Sequence, residues 1–319
     1  MAHELYIKDG KASIAFIGEK PWHGLGQELS DGASIETWKT ESGMDWEIKE
    51  SPVIYNTPAG QQVYSDQKVL FRGDTNEQLS IVGDGYKVVQ PGEVLEFFRE
   101  LVSLHGMKLS TAGVLFGGRR FWALADTGRA AEVLKNDHIK GNLLLTTSCD
   151  GTMATSAMMI ATRVVCANTL RLALNEKSTN SARITHRVDF DPYKLKQEMG
   201  LIDQAWDKFI SNVTDLSKAK INENDSYQFV YDLIKKPNLS ADDQPYTVAR
   251  DVNNIMNRVK NGMGQDQAGG TLWGLLNGVT EFCDHETRTR AADKALWNTW
   301  FGGTAELKTK AFEKVLEMV

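Results

Sequence analysis

No stretch of this 319-residue chain approaches the roughly 20 consecutive apolar residues that a bilayer-spanning helix needs. The opening residues, MAHELYIKDG, hold neither the basic start nor the apolar core of a secretory leader. A soluble, cytoplasmic protein is therefore expected, with no membrane partner. Cysteine is scarce: Cys149, Cys166 and Cys283 are an odd number and show no C-x-x-C spacing. That excludes a disulfide framework and a thiolate metal site, and leaves them as small buried hydrophobes. Also absent are G-x-x-x-x-G-K-[ST], G-x-S-x-G and H-E-x-x-H, and with them the common phosphate cradle, nucleophile elbow and zinc helix. Bases do not outnumber acids: 36 Lys and Arg stand against 42 Asp and Glu, a net charge of −6. A chain coated in positive potential is excluded, whereas a local basic face is not.

The most ordered pattern in the chain lies between Gly141 and Asn175. Asp150-Gly151 supplies residues suited to the φ > 0 positions of a tight turn, and Leu143 to Thr147 and Met158 to Val165 have the composition of the flanking strands. After Cys166 the spacing of Leu170, Leu172 and Leu174 predicts a helix capped by Asn168 or Thr169. Leu109 to Phe116 and Arg120 to Asp126 form a second expected hairpin across Gly117-Gly118. Upstream, Ser34 to Ser42 predicts a short helix, and Trp46 to Tyr55, Lys68 to Arg72 and Ser80 to Val89 predict strands. Pro91 to Ser103 predicts an amphipathic helix whose apolar face includes Val94, Leu95, Phe97 and Phe98.

From about Asp191 the period becomes helical. Helices are expected over Tyr193 to Leu216, Asp225 to Lys235, Tyr246 to Lys260, Thr271 to Asp284, Arg290 to Trp300 and Thr304 to Met318. The fold class is α+β: antiparallel β-hairpins with packed helices in the first two thirds, and a mostly α-helical C-terminal third. The length predicts one large domain or two, with residues 1–190 as an α+β domain and 191–319 as a helical region able to share its core.

Charge is distributed unevenly. The window from Arg163 to Arg187 holds Arg163, Arg171, Lys177, Arg183 and Arg187 with Glu176 as its only acid. Arg119-Arg120 is followed at once by Phe121-Trp122. Cations at backbone spacing beside an aromatic are what a single-stranded nucleic acid requires, so Arg119, Arg120, Phe121, Trp122, Arg163, Arg171, Arg183 and Arg187 are the candidate DNA-binding residues. An ordinary solvated surface accounts for the same charges equally well. Glu281, Asp284, His285 and Glu286 offer metal-ligating types, with Glu281 and His285 on one helical face, but two ligands do not make a site even with His23 or His186 in reserve. Pro21-Trp22-His23-Gly24 forms a rigid loop better suited to plugging a core than to meeting a base. Gly24-Leu25-Gly26, Gly83-Asp84-Gly85 and Gly262-Met263-Gly264 are turns. No catalytic residue, metal or cofactor is assigned.

Five segments, PWHGLG (21–26), VGDGYKVVQPGEVLEFF (82–98), TTSCDGT (146–152), RVVCANTL (163–170) and GTLWGLLNGVTEFCDH (270–285), together resemble the phage/plasmid-like protein family, the domain of unknown function nine-three-two. The resemblance implies mobile DNA and a bacterial host cell, and no transferable activity. The order hairpin, hairpin, helix, with Arg171 on that helix, is also similar in outline to the β-β-β-α core of phage single-strand annealing proteins of the Red-beta and RecT class, although no motif is shared and element order does not establish function. The function expected is single-stranded DNA binding that promotes annealing or recombination, by a homo-oligomer without a catalytic site. The alternative is a non-enzymatic interaction protein acting on a host protein, of an anti-defence type. A third possibility, an enzyme on nucleic acid using Asp284, His285 or His23, ranks below both.

Overall fold

The computed structural model describes residues 7–8, 11–18, 26–165, 168–171, 182–191, 202–287 and 292–319. Two compact units emerge, each assembled from separate stretches of chain: Met1–Gly128, Asn142–Met159 and Leu174–Leu201 in the first, and Arg129–Gly141, Ile160–Ala173 and Ile202–Val319 in the second.

The first unit begins with short strands β1 (Ile7–Lys8), β2 (Lys11–Ala12), β3 (Ile14–Phe16) and β4 (Gln27–Glu28). Helix α1 (Ile35–Glu41) starts at Ser34, whose hydroxyl accepts the Thr37 N–H at 3.1 Å. This is the cap expected of Ser before a short helix. A three-stranded antiparallel sheet follows, in the order β5 (Ile48–Thr57), β6 (Gly60–Arg72), β7 (Gln78–Gly83). Helix α2 (Pro91–His105) opens on proline and buries Val94, Leu95, Phe97 and Phe98, the apolar face its spacing predicts. Strands β8 (Lys108–Leu115), β9 (Arg120–Leu134), β10 (Asp137–Ser148) and β11 (Thr155–Arg163) come next. Within this unit β4, β3, β8, β9, β10 and β11 are neighbours in that order, and β13 (Ala182–Ile184) pairs antiparallel with β11. The turn between β8 and β9 falls at Gly117 and Gly118, as their sequence requires.

The hairpin around Asp150-Gly151 is present, with strands longer than expected and a loop from Cys149 to Ala154. Gly151 has φ +72° and open space where a side chain would start, the nearest atom being a Val82 methyl at 3.9 Å. Gly151→Val is therefore expected to destabilise through backbone strain rather than collision, by about 1–2 kcal/mol. Thermal unfolding of the variant measures this, and an unchanged melting temperature would contradict the turn.

The second unit takes the distal ends of β9, β10 and β11 and adds β12 (Asn168–Arg171). Here the structure corrects the sequence reading. Asn168 to Arg171 is a strand paired antiparallel with β11, Ile160 opposite Arg171 and Arg163 opposite Asn168. Leucines two apart satisfy a strand as well as a helix, and a waiting ladder decided between them. The remainder of that expected helix, residues 172–175, lies outside the described residues.

The helices of this unit are α3 (Ile202–Lys218), α4 (Glu223–Ile234), α5 (Tyr246–Asn261), α6 (Gln265–Ala268), α7 (Leu272–His285), α8 (Ala292–Trp300) and α9 (Gly303–Leu316). All but the one-turn α6 match expected segments over the described residues; residues 193–201 and 290–291 of two of those segments lie outside them. Helix α7 is buried from Leu272 to Cys283, as a largely apolar helix must be, and its larger polar side chains are paired, Asn277 donating to the Trp273 carbonyl and Glu281 accepting from Arg258. Its Gly278 lets α5 approach closely, since a Cβ there would lie 2.5 Å from a Val259 methyl. Among the described residues, no helix is long and apolar enough to cross a membrane.

Candidate nucleic-acid interface

In the first unit a cleft of about 670 Å³ is built from three of the segments that the sequence marks. Strand β7 ends at Gly83, shorter than the expected Ser80 to Val89, because Gly83-Asp84-Gly85 turns the chain: the Tyr86 N–H donates to the Gly83 carbonyl at 2.9 Å. That turn carries Tyr86 to the cleft, where its hydroxyl donates to the Ser148 carbonyl at 2.8 Å. Burial drives the phenol above its ordinary range, with Cys149 and Asp150 adding to the shift. Tyr86 is thus a neutral donor and a stacking surface, not a base.

The residues after β13 form the facing wall. The His186 ring stacks on Tyr86, centroids 4.5 Å apart at 14°, and the Lys87 N–H donates to the His186 carbonyl at 2.7 Å. His186 Nδ1 lies 2.8 Å from the Lys87 carbonyl. A carbonyl only accepts, so this nitrogen carries the proton. Nε2 faces the Thr147 hydroxyl at 3.4 Å, and Thr147 meets Thr155 at 2.8 Å. Burial holds the imidazole below its ordinary pKa, opposed by the Lys87 and Met153 carbonyls and by Asp150.

This shift has a testable sign. The folded ring binds its proton more weakly than the unfolded one, whose pKa is about 6.5. Its contribution to stability is complete above about pH 6.5 and is lost as pH falls toward the folded value. His186→Gln is expected to flatten that part of the pH profile. Denaturant midpoints above and below about pH 6.5 measure it, and equal slopes in variant and wild type would contradict the assignment.

The third wall is the β10–β11 loop. Asp150 accepts the Thr152 N–H at 3.0 Å and the Thr152 hydroxyl at 2.5 Å. Arg120 braces the same loop, donating to the Thr152 hydroxyl at 3.1 Å and lying 3.8 Å from the Asp150 carboxylate. The Cys149 N–H donates to the Arg119 carbonyl at 2.9 Å, tying the β8–β9 turn to the loop. Burial pushes the Cys149 thiol up to about 12, which leaves it protonated and unreactive at neutral pH. Arg119 is exposed, Arg187 lines the cleft and is exposed, and Arg183, also exposed, sits on β13 opposite Ser156.

The eight candidate DNA-binding residues therefore separate into groups. Arg119, Arg120, Arg183 and Arg187 belong to the first unit; Arg187 lines the cleft, Arg120 hydrogen-bonds Thr152 in its wall, and Arg119 and Arg183 are exposed. Phe121 and Trp122 are 0% and 3% exposed, which corrects their expected role as base-stacking residues. Both belong to the core, Phe121 against Trp46 with ring centroids 5.6 Å apart. Arg163, 2% exposed, corrects likewise: in the second unit its guanidinium forks onto Asp137 at 2.6 and 2.8 Å and is not presented to a phosphate. Arg171, half-buried in that unit, lies on a strand rather than a helix and donates to Thr309 at 3.2 Å.

The acids with metal-ligating side chains, Glu281, Asp284 and Glu286, are engaged in ion pairs. Asp284 accepts Lys308 at 2.5 Å and the Thr169 N–H at 2.8 Å, and Glu281 and Glu286 both meet Arg258. Glu281 is buried while His285 is exposed. Among the described residues, no group of three or more His, Cys, Asp or Glu is placed to hold a metal ion. Trp22 and His23 lie outside the described residues.

Tyr86 and Met153 are the functional candidates that the sequence reading missed. The signal was present, since Tyr86 follows the Gly83-Asp84-Gly85 turn inside a segment already singled out for its resemblance. Comparison with known proteins adds one finding: residues 78–300 match a family model described as Domain of unknown function (DUF932). No curated protein and no solved structure matches. The three cleft walls lie within the matched span, which covers more than half of the sequence, and the chain belongs to the DUF932 family.

Proposed function

We propose that this protein binds single-stranded DNA in the cleft of its first unit and promotes annealing or recombination of a phage or plasmid in the bacterial cytoplasm, without catalysing a bond change. The observation that carries this reading is Arg187 in the cleft wall, with Arg120 bracing the loop that forms the cleft's edge, Arg119 adjacent to it in sequence, and Arg183 on the strand that leads to the wall. Sequence-tolerant binding needs cations along the backbone path and flat or soft surfaces for bases. Tyr86 and Met153 take the stacking role in place of Phe121 and Trp122. The cleft volume suits one or two nucleotides rather than a duplex. The likeness in element order to Red-beta and RecT proteins contributes less, because Arg171 lies on a strand.

Fluorescence anisotropy of a labelled single-stranded oligonucleotide across a salt series tests the proposal. Affinity should fall as salt rises, with a logarithmic slope of about −0.7 for each phosphate contact. Absence of binding at low salt would overturn it. The second reading, non-enzymatic binding to a basic host protein, draws on the net charge of −6 and would then become the reading to test by pull-down.

A further inference from the structure

The hairpin of β5 and β6 extends beyond the sheet that anchors it. β7 pairs with β6 as far as Gln67, opposite Gly83, and the Asp84 N–H donates to the Asp66 carbonyl at 3.0 Å, so the hairpin from Pro52 to Ser65 projects as a two-stranded arm. On one face Ile54 lies opposite Val63, and on the other Val53 lies opposite Tyr64 and Tyr55 opposite Gln62. Both faces are open: Ile54 is 52% exposed, Tyr55 49%, Val63 60% and Tyr64 45%. The outer edge of β5 is occupied at its base, where Ile48 exchanges backbone hydrogen bonds with the Gln90 side chain at 2.8 and 3.2 Å. Beyond Ile48, no other strand pairs with that edge among the described residues.

From Pro52 to Ser65 the arm, PVIYNTPAGQQVYS, has no Asp, Glu, Lys, Arg or His. Free strand edges are ordinarily guarded by charge, proline or a bulge; Pro52 and the bulge between Pro52 and Val53 guard the base of the arm, no charge guards it beyond, and a lone two-stranded hairpin is marginal in water. An uncharged arm with two apolar faces is built to be covered. It offers nothing to a phosphate, a lipid headgroup or a charged peptide. It does match itself, and in a chain of net charge −6 it is a place where two like-charged copies can meet without repulsion at the contact.

We infer that the arm joins two copies of this chain, with β5 of one running antiparallel to β5 of the other about a two-fold axis near Tyr55. Such a contact is isologous. It extends each two-stranded arm into a four-stranded sheet, brings the two Tyr55 rings into a cross-strand pair on one face, and on the other sets Ile54 of each copy opposite Asn56 of the other, so that the two Ile54 side chains are diagonal neighbours across the axis. The inference stands independently of DNA binding.

Sedimentation velocity over a concentration series tests it, using the full chain and the variants Ile54→Lys and Ile54→Glu. The wild type is expected to dimerise, each variant alone to self-associate more than about tenfold more weakly, because like charges become diagonal neighbours on one face across the axis, and an equimolar mixture of the two to recover the dimer. Circular dichroism matching the wild type shows that the variants fold. A wild type that remains monomeric, variants that dimerise as the wild type does, or a folded mixture that fails to recover the dimer would each overturn the arm-to-arm contact.

Discussion

Replacing Asp137 with Ala is expected to lower the free energy of unfolding by about 3–5 kcal/mol, because it leaves the Arg163 charge buried without its counter-ion. Asp137 is fully buried and Arg163 is 2% exposed. The carboxylate accepts the guanidinium at 2.6 and 2.8 Å and the Trp273 indole N–H at 2.9 Å. Two further guanidinium hydrogens reach the carbonyls of Met263 and Gly264 at 3.0 and 3.2 Å. Removing the acid strands a cation and an indole N–H together. Replacing both charges with apolar residues of similar volume should cost far less, since the pair has its own desolvation penalty. Urea titration of Asp137→Ala measures the loss, and a midpoint close to wild type would contradict the buried pair. The same reasoning separates Arg163 from DNA binding: a folded Arg163→Met variant should lose stability and keep its affinity for single-stranded DNA.

The second large effect concerns function. The triple variant Arg119→Ala, Arg120→Ala, Arg187→Ala is expected to flatten the salt dependence of single-stranded DNA binding by about two units of logarithmic slope, roughly 0.7 for each lost phosphate contact. At moderate salt that is a loss of one to several orders of magnitude in affinity. Arg120 also braces Asp150 and Thr152, so Arg120→Lys serves as a control that keeps the charge and gives up the forked geometry. An unchanged slope in a folded triple variant would remove these side chains from the interface.

Much of the architecture is legible in the sequence because local signals and tertiary demands agree. Ser34 caps α1, Pro91 opens α2, Asp150-Gly151 turns β10 into β11, and the long periodic segments after residue 200 are helices. The failures have particular causes. Phe121 and Trp122 are adjacent, and adjacent strand residues point to opposite faces. Their joint burial means that both faces of β9 are covered here, which a continuous apolar run such as Phe121 to Ala125 signals and an alternating one does not. The Arg163 to Asp137 pair was illegible because it joins residues on β11 and β10 whose proximity depends on strand register. The arm was half visible: Trp46 to Tyr55 and Lys68 to Arg72 were expected as strands, but the polar segment from Gly60 to Gln67 concealed the length of β6.

The cleft was legible only in pieces. VGDGYK, TTSCDGT and the basic window ending at Arg187 were each singled out, for different reasons, and lie far apart in the chain. Their convergence requires β13 to pair with β11 at Ile184 opposite Thr155, which sets His186 beside Tyr86. No local property of the sequence encodes that pairing.

The central claim is that single-stranded DNA lies in this cleft. Photocrosslinking with an oligonucleotide bearing iodouracil, followed by peptide mapping, tests it most directly, because aromatic, histidine and methionine side chains next to a base are captured. Crosslinks to Tyr86, Met153 or His186, lost as salt rises, are the predicted result. Crosslinks confined to other parts of the chain, or none at low salt, would contradict the account.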